Sequence, residues 1–227
     1  MPYLGLDTAT SRGSVALARP GEVLIEAPLP DRGAHARDLL ASVDGILRSS
    51  GLESRDLLGI GVAVGPGSFT GVRVGMATAK GLGYALRIGV AGISTLEAIA
   101  RAAARAAPSA VCVAIGAGRG EVYGALFRVE EGEPVRTAPD RSYRPATLAG
   151  TLPEGCLLAG DGATALLAEV AQGGRERLTV LDPCPLLAGT IALWASSTIA
   201  PGTPYGVGNL GPNYVRPSDA ETARRRP

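Results

Sequence analysis

Histidine is nearly missing from this 227-residue chain, with His35 the only one. The three cysteines, Cys112, Cys156 and Cys184, stand far apart, without the short paired spacings of a zinc site. A metallopeptidase-like centre therefore lacks its ligands, and no metal site is expected. Scattered thiols, odd in number and set among apolar residues, point to reduced core cysteines rather than to a disulfide framework. Lysine is equally rare, Lys80 being alone among arginines. The net charge is only +1, so the chain lacks the broad basic field of a stand-alone nucleic-acid binder. No run approaches the ~18 consecutive apolar residues that span a bilayer. The start, Met1-Pro-Tyr-Leu-Gly-Leu-Asp7, lacks a basic stretch ahead of an apolar one. No membrane segment or signal peptide is expected, and a cytoplasmic location is.

What is present is an apolar, foldable chain. Hydrophobic residues make up 46% and charged ones 19%, the balance of an ordered globular protein. Three strands are expected first, at residues 3–7, 14–18 and 22–28. A helix follows over 34–50, with Ala36, Leu39, Leu40, Val43, Ile46 and Leu47 on one face and Gly51 as its stop. A strand ending at Gly65, a helix over 71–86, a strand near 88–93 and a helix over 95–107 complete a β-β-β-α-β-α-β-α half. The second half opens again on strands, at 110–115 and 121–129, with a loop or hairpin over 130–142. A strand at 156–159, a helix over 163–171 and a last helix over 185–197 follow. Lobes at 1–107 and 108–216 are expected, with a disordered tail over 217–227 that ends Arg224-Arg-Arg226-Pro227. Three antiparallel strands followed by crossover helices, repeated in two lobes, is the α/β architecture of actin, hexokinase and Hsp70-type ATPases.

The stretch Gly65-Pro-Gly-Ser-Phe-Thr-Gly-Val-Arg73 joins a strand to a helix, a place where backbone amides often meet an anion. It is nevertheless neither common nucleotide motif. Five residues separate Gly65 from Gly71, and Val72-Arg73 stands where a P-loop needs Lys-Ser/Thr. Thr70 stands where a dinucleotide fingerprint needs glycine. Gly65, Gly67, Ser68 and Thr70 remain candidates to face a phosphate, together with Asp7 at the end of the first strand and Asp161 in Gly160-Asp-Gly162. Each also has a plain structural reading. Asp7 can satisfy the amides of its own turn, and Asp161 can sit at an ordinary helix start.

Gly67, Gly71, Gly75, Ala79 and Gly83 recur at every fourth residue and form one helical stripe. An interior glycine costs a helix roughly 1 kcal/mol relative to alanine, and close approach of another backbone is the gain that can offset it. That backbone can belong to this chain or to a partner. No residue set supports catalysis by the chain alone, and His35, beside Arg32 and Arg37, reads as a surface or capping residue.

Leu6-Asp-Thr-Ala-Thr10, Gly65 to Arg73, Gly92-Ile-Ser-Thr-Leu96, Gly120-Glu-Val-Tyr123 and Pro212-Asn-Tyr-Val-Arg216 occur in this order. Together they resemble the TsaB (YeaZ-type) family of tRNA threonylcarbamoyladenosine biosynthesis proteins, over residues 4–216. The resemblance implies a non-catalytic subunit of actin-like fold. It would pair with a larger TsaD-type paralogue that transfers the threonylcarbamoyl group to adenosine 37 of ANN-decoding tRNAs. It further implies a small P-loop ATPase subunit of the TsaE type, a homodimer when the paralogue is absent, and tRNA contact only through the complex. No tightly bound cofactor is expected, with ATP or ADP placed, if anywhere, at the shared interface. First-lobe helices would form the pairing surface, making Leu39, Val43, Gly71, Gly75, Ala79 and Gly83 its candidates. One departure stands out: Gly116-Ala-Gly-Arg119 occupies a segment in which the family usually reads Asp-Ala-Arg. Losing that carboxylate weakens any case for autonomous nucleotide or metal chemistry. The rival reading is a small actin-fold kinase or ATPase using Asp7, Gly65–Thr70 and Gly160–Gly162.

Overall fold

The computed structural model describes residues 1–30, 35–107, 109–206 and 210–216, with the side chains of all but 35–37. The expected role of His35 and the expected disordered tail lie outside the described residues. Two compact units result. One holds Met1–Ala98 and Pro185–Pro212, the other Ile99–Cys184 and the described residues from Asn213 onward.

The first unit is built on a five-stranded sheet of order β3-β2-β1-β4-β5. Its strands are β1 (Tyr3–Asp7), β2 (Ser14–Arg19), β3 (Glu22–Pro28), β4 (Gly59–Ala63) and β5 (Gly89–Ile93). β1 and β2, like β2 and β3, pair antiparallel as a meander; β4 joins β1, and β5 joins β4, in parallel. The parallel pairs need crossovers, supplied by α1 (His35–Ser49) and α2 (Phe69–Leu86). Beyond β5, α3 (Thr95–Ala104) leads the chain out of the unit.

α1 buries Leu39, Val43, Ile46 and Leu47, as its periodicity predicts. Leu40 is a correction to the expected apolar face, since it is 56% exposed. Leu40 lies about 100° round the helix from Leu39, at the edge of the stripe that Leu39, Val43 and Ile46 define. α1 stops at Gly51, whose φ of +66° suits glycine, and the Leu52 N–H closes the end on the Leu47 carbonyl. α2 starts earlier than expected because the Ser68 side chain caps it, accepting from the Gly71 N–H at 3.2 Å.

The last helix, α7 (Ala188–Thr198), corrects the expected division at residue 107. It packs on β1, β2 and β4, so it belongs to the first unit rather than the second. Glycines in the strands make room for it. A Cβ on Gly5 would overlap the Ala188 carbonyl oxygen, and one on Gly61 would stand 2.8 Å from the Ile191 oxygen and 2.9 Å from Ala195 Cβ. Gly59 and Gly89 face Ile199 in the same way. Alternate strand residues face the opposite side, where Val62 and Val90 meet α2. The sheet is thus approached closely by helices on both faces.

The second unit repeats the pattern on a sheet of order β11-β10-β6-β7-β8. β6 (Ala110–Gly118), β7 (Glu121–Glu130) and β8 (Glu133–Arg136) form the antiparallel part. β9 (Arg141–Tyr143) also pairs with β7, so the stretch expected as a loop or hairpin contributes two strands. β10 (Leu157–Ala159) and β11 (Thr179–Leu181) add in parallel. Cys112, Ala114, Cys156 and Leu158 pack with Leu148 of α4 (Pro145–Ala149) and with Ala163 and Leu166 of α5 (Ala163–Glu169). A short α6 (Gln172–Arg175) follows. α4, α6 and β11 were not legible as periodic segments.

Candidate functional site

The phosphate candidates of the first unit gather around the turn after β1, and most are engaged within the chain. Asp7 is fully buried. One carboxylate oxygen accepts from the Ala9 N–H at 2.8 Å and the Thr10 N–H at 3.3 Å, the other from the Thr10 hydroxyl at 2.5 Å. This is an Asx-type turn that a strand-ending aspartate forms on its own. The Gly65 carbonyl takes the Thr95 N–H at 2.8 Å, and the Ser68 N–H donates to the Ala9 carbonyl at 2.8 Å. Ser68 and Thr70 are exposed, at the cap and on the first turn of α2. Asp161 lies in the second unit, where it does not cap α5; it accepts from the Gly116 N–H at 2.9 Å. Both carboxylates thus accept from amides of the protein's own backbone.

The glycine stripe is turned inward, which corrects its assignment to a partner surface. A Cβ on Gly71 would overlap the Thr8 carbonyl oxygen, one on Gly75 the Thr8 hydroxyl, and one on Gly67 the Ala9 carbonyl. Gly83 sits against Val90 and Tyr205. Gly71, Gly75, Ala79 and Gly83 are buried, as are Leu39 and Val43 of α1. All six expected interface residues therefore pack inside the first unit, because the stripe is filled by the chain's own β1–β2 turn and sheet.

The outward faces carry different residues. On α2 they include Phe69, Arg73, Ala77, Gly81 and Tyr84, at helical spacing. Arg73 lays its guanidinium 3.8 Å from the Phe69 ring centroid. Tyr84 is 72% exposed and meets Tyr205 edge-on at 5.6 Å. Leu40, Asp44 and Gly45 lie on the exposed side of α1. A Cβ at Gly45 or Gly81 would meet nothing within 4 Å. These two glycines were legible in the sequence but fell outside the period-four stripe.

The carboxylate of Glu26, on β3, was also missed. It accepts from the Gly189 N–H at 2.8 Å, while Ser14 accepts from the Ala188 N–H at 3.1 Å. The two side chains thus satisfy the first amides of α7. Burial raises the pKa of Glu26 above the ordinary 4.5, and the nearby Asp7 charge adds to the rise; hydrogen bonds from Gly189 and Ser14 oppose it. The folded state therefore holds this proton more tightly than the unfolded one. Its contribution to stability is complete below about pH 4.5 and is lost as pH rises through the raised folded value. Glu26→Gln, which does not titrate, is expected to gain stability relative to wild type as pH rises from about 4 to 7.5. Urea unfolding midpoints of both proteins across that range measure it, and a constant difference would count against the shift.

In the second unit, Gly120-Glu-Val-Tyr123 is joined physically to the Asn213–Arg216 stretch. Arg216 pairs with Glu121 at 3.3 Å, and Glu121 also accepts from the Ser142 hydroxyl at 2.9 Å. Asn213 donates to Asp140 at 2.6 Å, and Asp140 also binds Arg136. Cys112 and Cys156 are buried, whereas Cys184, expected in apolar surroundings, is half-exposed. Burial pushes the Cys156 thiol up to about 11 and Cys112 higher still. At pH 8 a thiol reagent is expected to label Cys184 in the folded protein and the other two only after denaturation, countable by intact mass. No group of three or more metal-binding side chains occurs among the described residues. No helix there is long and apolar enough to cross a membrane.

Residues 28–165 match the family described as TsaD, tRNA N6-adenosine threonylcarbamoyltransferase. A 132-residue stretch is 39% identical to the tRNA threonylcarbamoyladenosine biosynthesis protein TsaB of Escherichia coli, spanning 58% of this chain and 57% of that protein. The chain thus spans little more than half the length of that curated relative. Its fold is similar to that of YeaZ from Pseudomonas aeruginosa, with TM-score 0.79, 26% identity and coverage of 94% of this chain and 99% of the other. Component A of the Acidaminococcus fermentans (R)-2-hydroxyglutaryl-CoA dehydratase is similar in fold alone, with TM-score 0.53, 11% identity and coverage of 87% and 98%. The two-lobed actin-like ATPase fold expected from the strand order is borne out. With that fold, the match over residues 28–165 and the TsaB identity together, the chain belongs to the TsaB/YeaZ family within the wider threonylcarbamoyltransferase family.

Proposed function

We propose that this protein is a non-catalytic subunit of tRNA threonylcarbamoyladenosine biosynthesis, pairing with a catalytic TsaD-type paralogue through the outward faces of α1 and α2. The observation that carries the reading is the pair of exposed helix glycines, Gly45 and Gly81, with open space around each. Each costs its helix roughly 1 kcal/mol against alanine, and a Cβ at either would meet nothing within 4 Å among the described residues. A second helix approaching closely across Gly81 would supply the return. Leu40 and Tyr84, both well exposed, would supply apolar contact at its edges.

In this reading the TsaE-type ATPase subunit joins the assembled pair, and tRNA is reached only through the complex. The same face serves a homodimer when the paralogue is absent. ATP or ADP, where bound, sits at the shared interface rather than in the Asp7 turn. The chain contributes the paralogue's competent conformation, not a reacting group.

Reconstitution of the tRNA modification from purified subunits, with and without this chain, tests the proposal. Loss of product on omission is expected, and unchanged product would overturn it. Gly81→Arg, pointing into open space, is expected to leave folding intact and to abolish pairing with the paralogue in gel filtration. ATP turnover by the isolated chain would favour the small-kinase reading instead.

A further inference from the structure

We propose that Thr8 is a positioning residue of the pairing helix, the peg that fixes the N-terminal half of α2 over the β1–β2 turn and so places the helix's outward face. The inference rests on the reading that α2 pairs with a partner. Helices are normally held in register by side-chain ridges set into grooves. In the N-terminal half of α2, Gly71 and Gly75 present bare backbone to the β1–β2 turn, while Val72 and Met76 bury their side chains beside that stripe. The bare stripe gives close contact but offers the turn no side chain of its own to lock against. Thr8 enters that groove: its hydroxyl occupies the space where a Gly75 Cβ would stand.

The contact is also directional. The Thr8 hydroxyl donates to the Gly71 carbonyl at 2.7 Å, and the residue is fully buried. The Ser68 N–H bond to the Ala9 carbonyl holds only the start of the helix. The peg is itself braced, since the bonds that Asp7 accepts from Ala9 and Thr10 set the shape of the turn carrying it. Movements on the order of 1–2 Å suffice to repack a helix interface. Losing this peg would therefore displace Phe69, Arg73, Ala77 and Gly81 together, on the side of the helix away from the change.

The test is affinity for the TsaD-type paralogue of the same organism, by calorimetry, at a temperature where circular dichroism shows each variant folded. Thr8→Val keeps the shape and removes the donor, and is expected to weaken pairing about tenfold, the worth of one buried hydrogen bond. Thr8→Ser restores the donor and is expected to pair within about twofold of wild type. A folded Thr8→Val that pairs as tightly as wild type would overturn the inference, since a merely structural residue would lower only the melting temperature. Should Thr8→Val not fold, Thr8→Ala replaces it, and pairing equal to that of Thr8→Ser overturns the inference in the same way. Gly81→Arg separates the two proposals. If it abolishes pairing while Thr8→Val does not, only the role of Thr8 falls; if it pairs undiminished, the pairing face and the role of Thr8 fall together.

Discussion

Gly5→Ala is expected to destabilise the protein by about 3 kcal/mol or more, read as a fall in the urea unfolding midpoint. The added Cβ would overlap the Ala188 carbonyl oxygen and stand 2.8 Å from the Ala192 amide nitrogen. Both are backbone atoms, so no side chain can rotate away to accommodate the methyl group. α7 would have to lift from the sheet. Lifting it opens the tight contact at Gly61 and strains the bonds from Gly189 to Glu26 and from Ala188 to Ser14. The matched control is Gly81→Ala. Its methyl group meets nothing within 4 Å, and it should gain up to about 1 kcal/mol from helix propensity alone. The same chemical change is thus expected to act with opposite signs at two glycines. A loss below about 0.5 kcal/mol at Gly5, the range of ordinary surface changes, would show that α7 is not held by backbone approach.

Much of the first unit was legible because its strands and helices are long enough to show a period. The meander, the crossover helices and the buried face of α1 follow from apolar spacing, apart from Leu40. The position of α7 was not legible. Its residues say that it is buried but not against which sheet, and 163 residues separate Gly189 from Glu26, the β3 side chain that accepts its amide. A signal was nevertheless present: Gly5, Gly59, Gly61 and Gly89 are glycines within strands, a mark of close backbone approach. The period-four stripe on α2 was read correctly as a contact surface in need of a near neighbour. Sequence spacing does not distinguish a neighbour within the chain from one on another chain, and the β1–β2 turn proved to be the neighbour. β9, β11, α4 and α6 hold three to five residues each, too few for any period to emerge. Of the two carboxylate candidates, only Asp7 follows its local reading. Asp7 satisfies its own turn, while Asp161 braces Gly116 from the neighbouring strand, a long-range bond that no spacing reveals.

Asp7 gives the sharpest contrast between a chemical and a structural role. Asp7→Ala removes a fully buried acceptor and strands the Ala9 N–H, the Thr10 N–H and the Thr10 hydroxyl. Hydrogen bonds to charged groups contribute roughly 1.5–3 kcal/mol each, and partial rehydration of the turn returns some of that. A net loss of about 3 kcal/mol is expected. Asp7→Asn keeps an oxygen for the two amides but loses the charge and the acceptor for the Thr10 hydroxyl, so its loss should be about half as large. Stability should therefore rank wild type above Asn above Ala in urea unfolding, with pairing to the paralogue falling in the same order as the Thr8 peg loosens. A catalytic aspartate would behave otherwise, because Asn and Ala would then abolish tRNA modification equally while leaving folding and pairing near wild type. That second pattern would move Asp7 from scaffold to chemistry, and the reading of this chain as a non-catalytic subunit would fall with it.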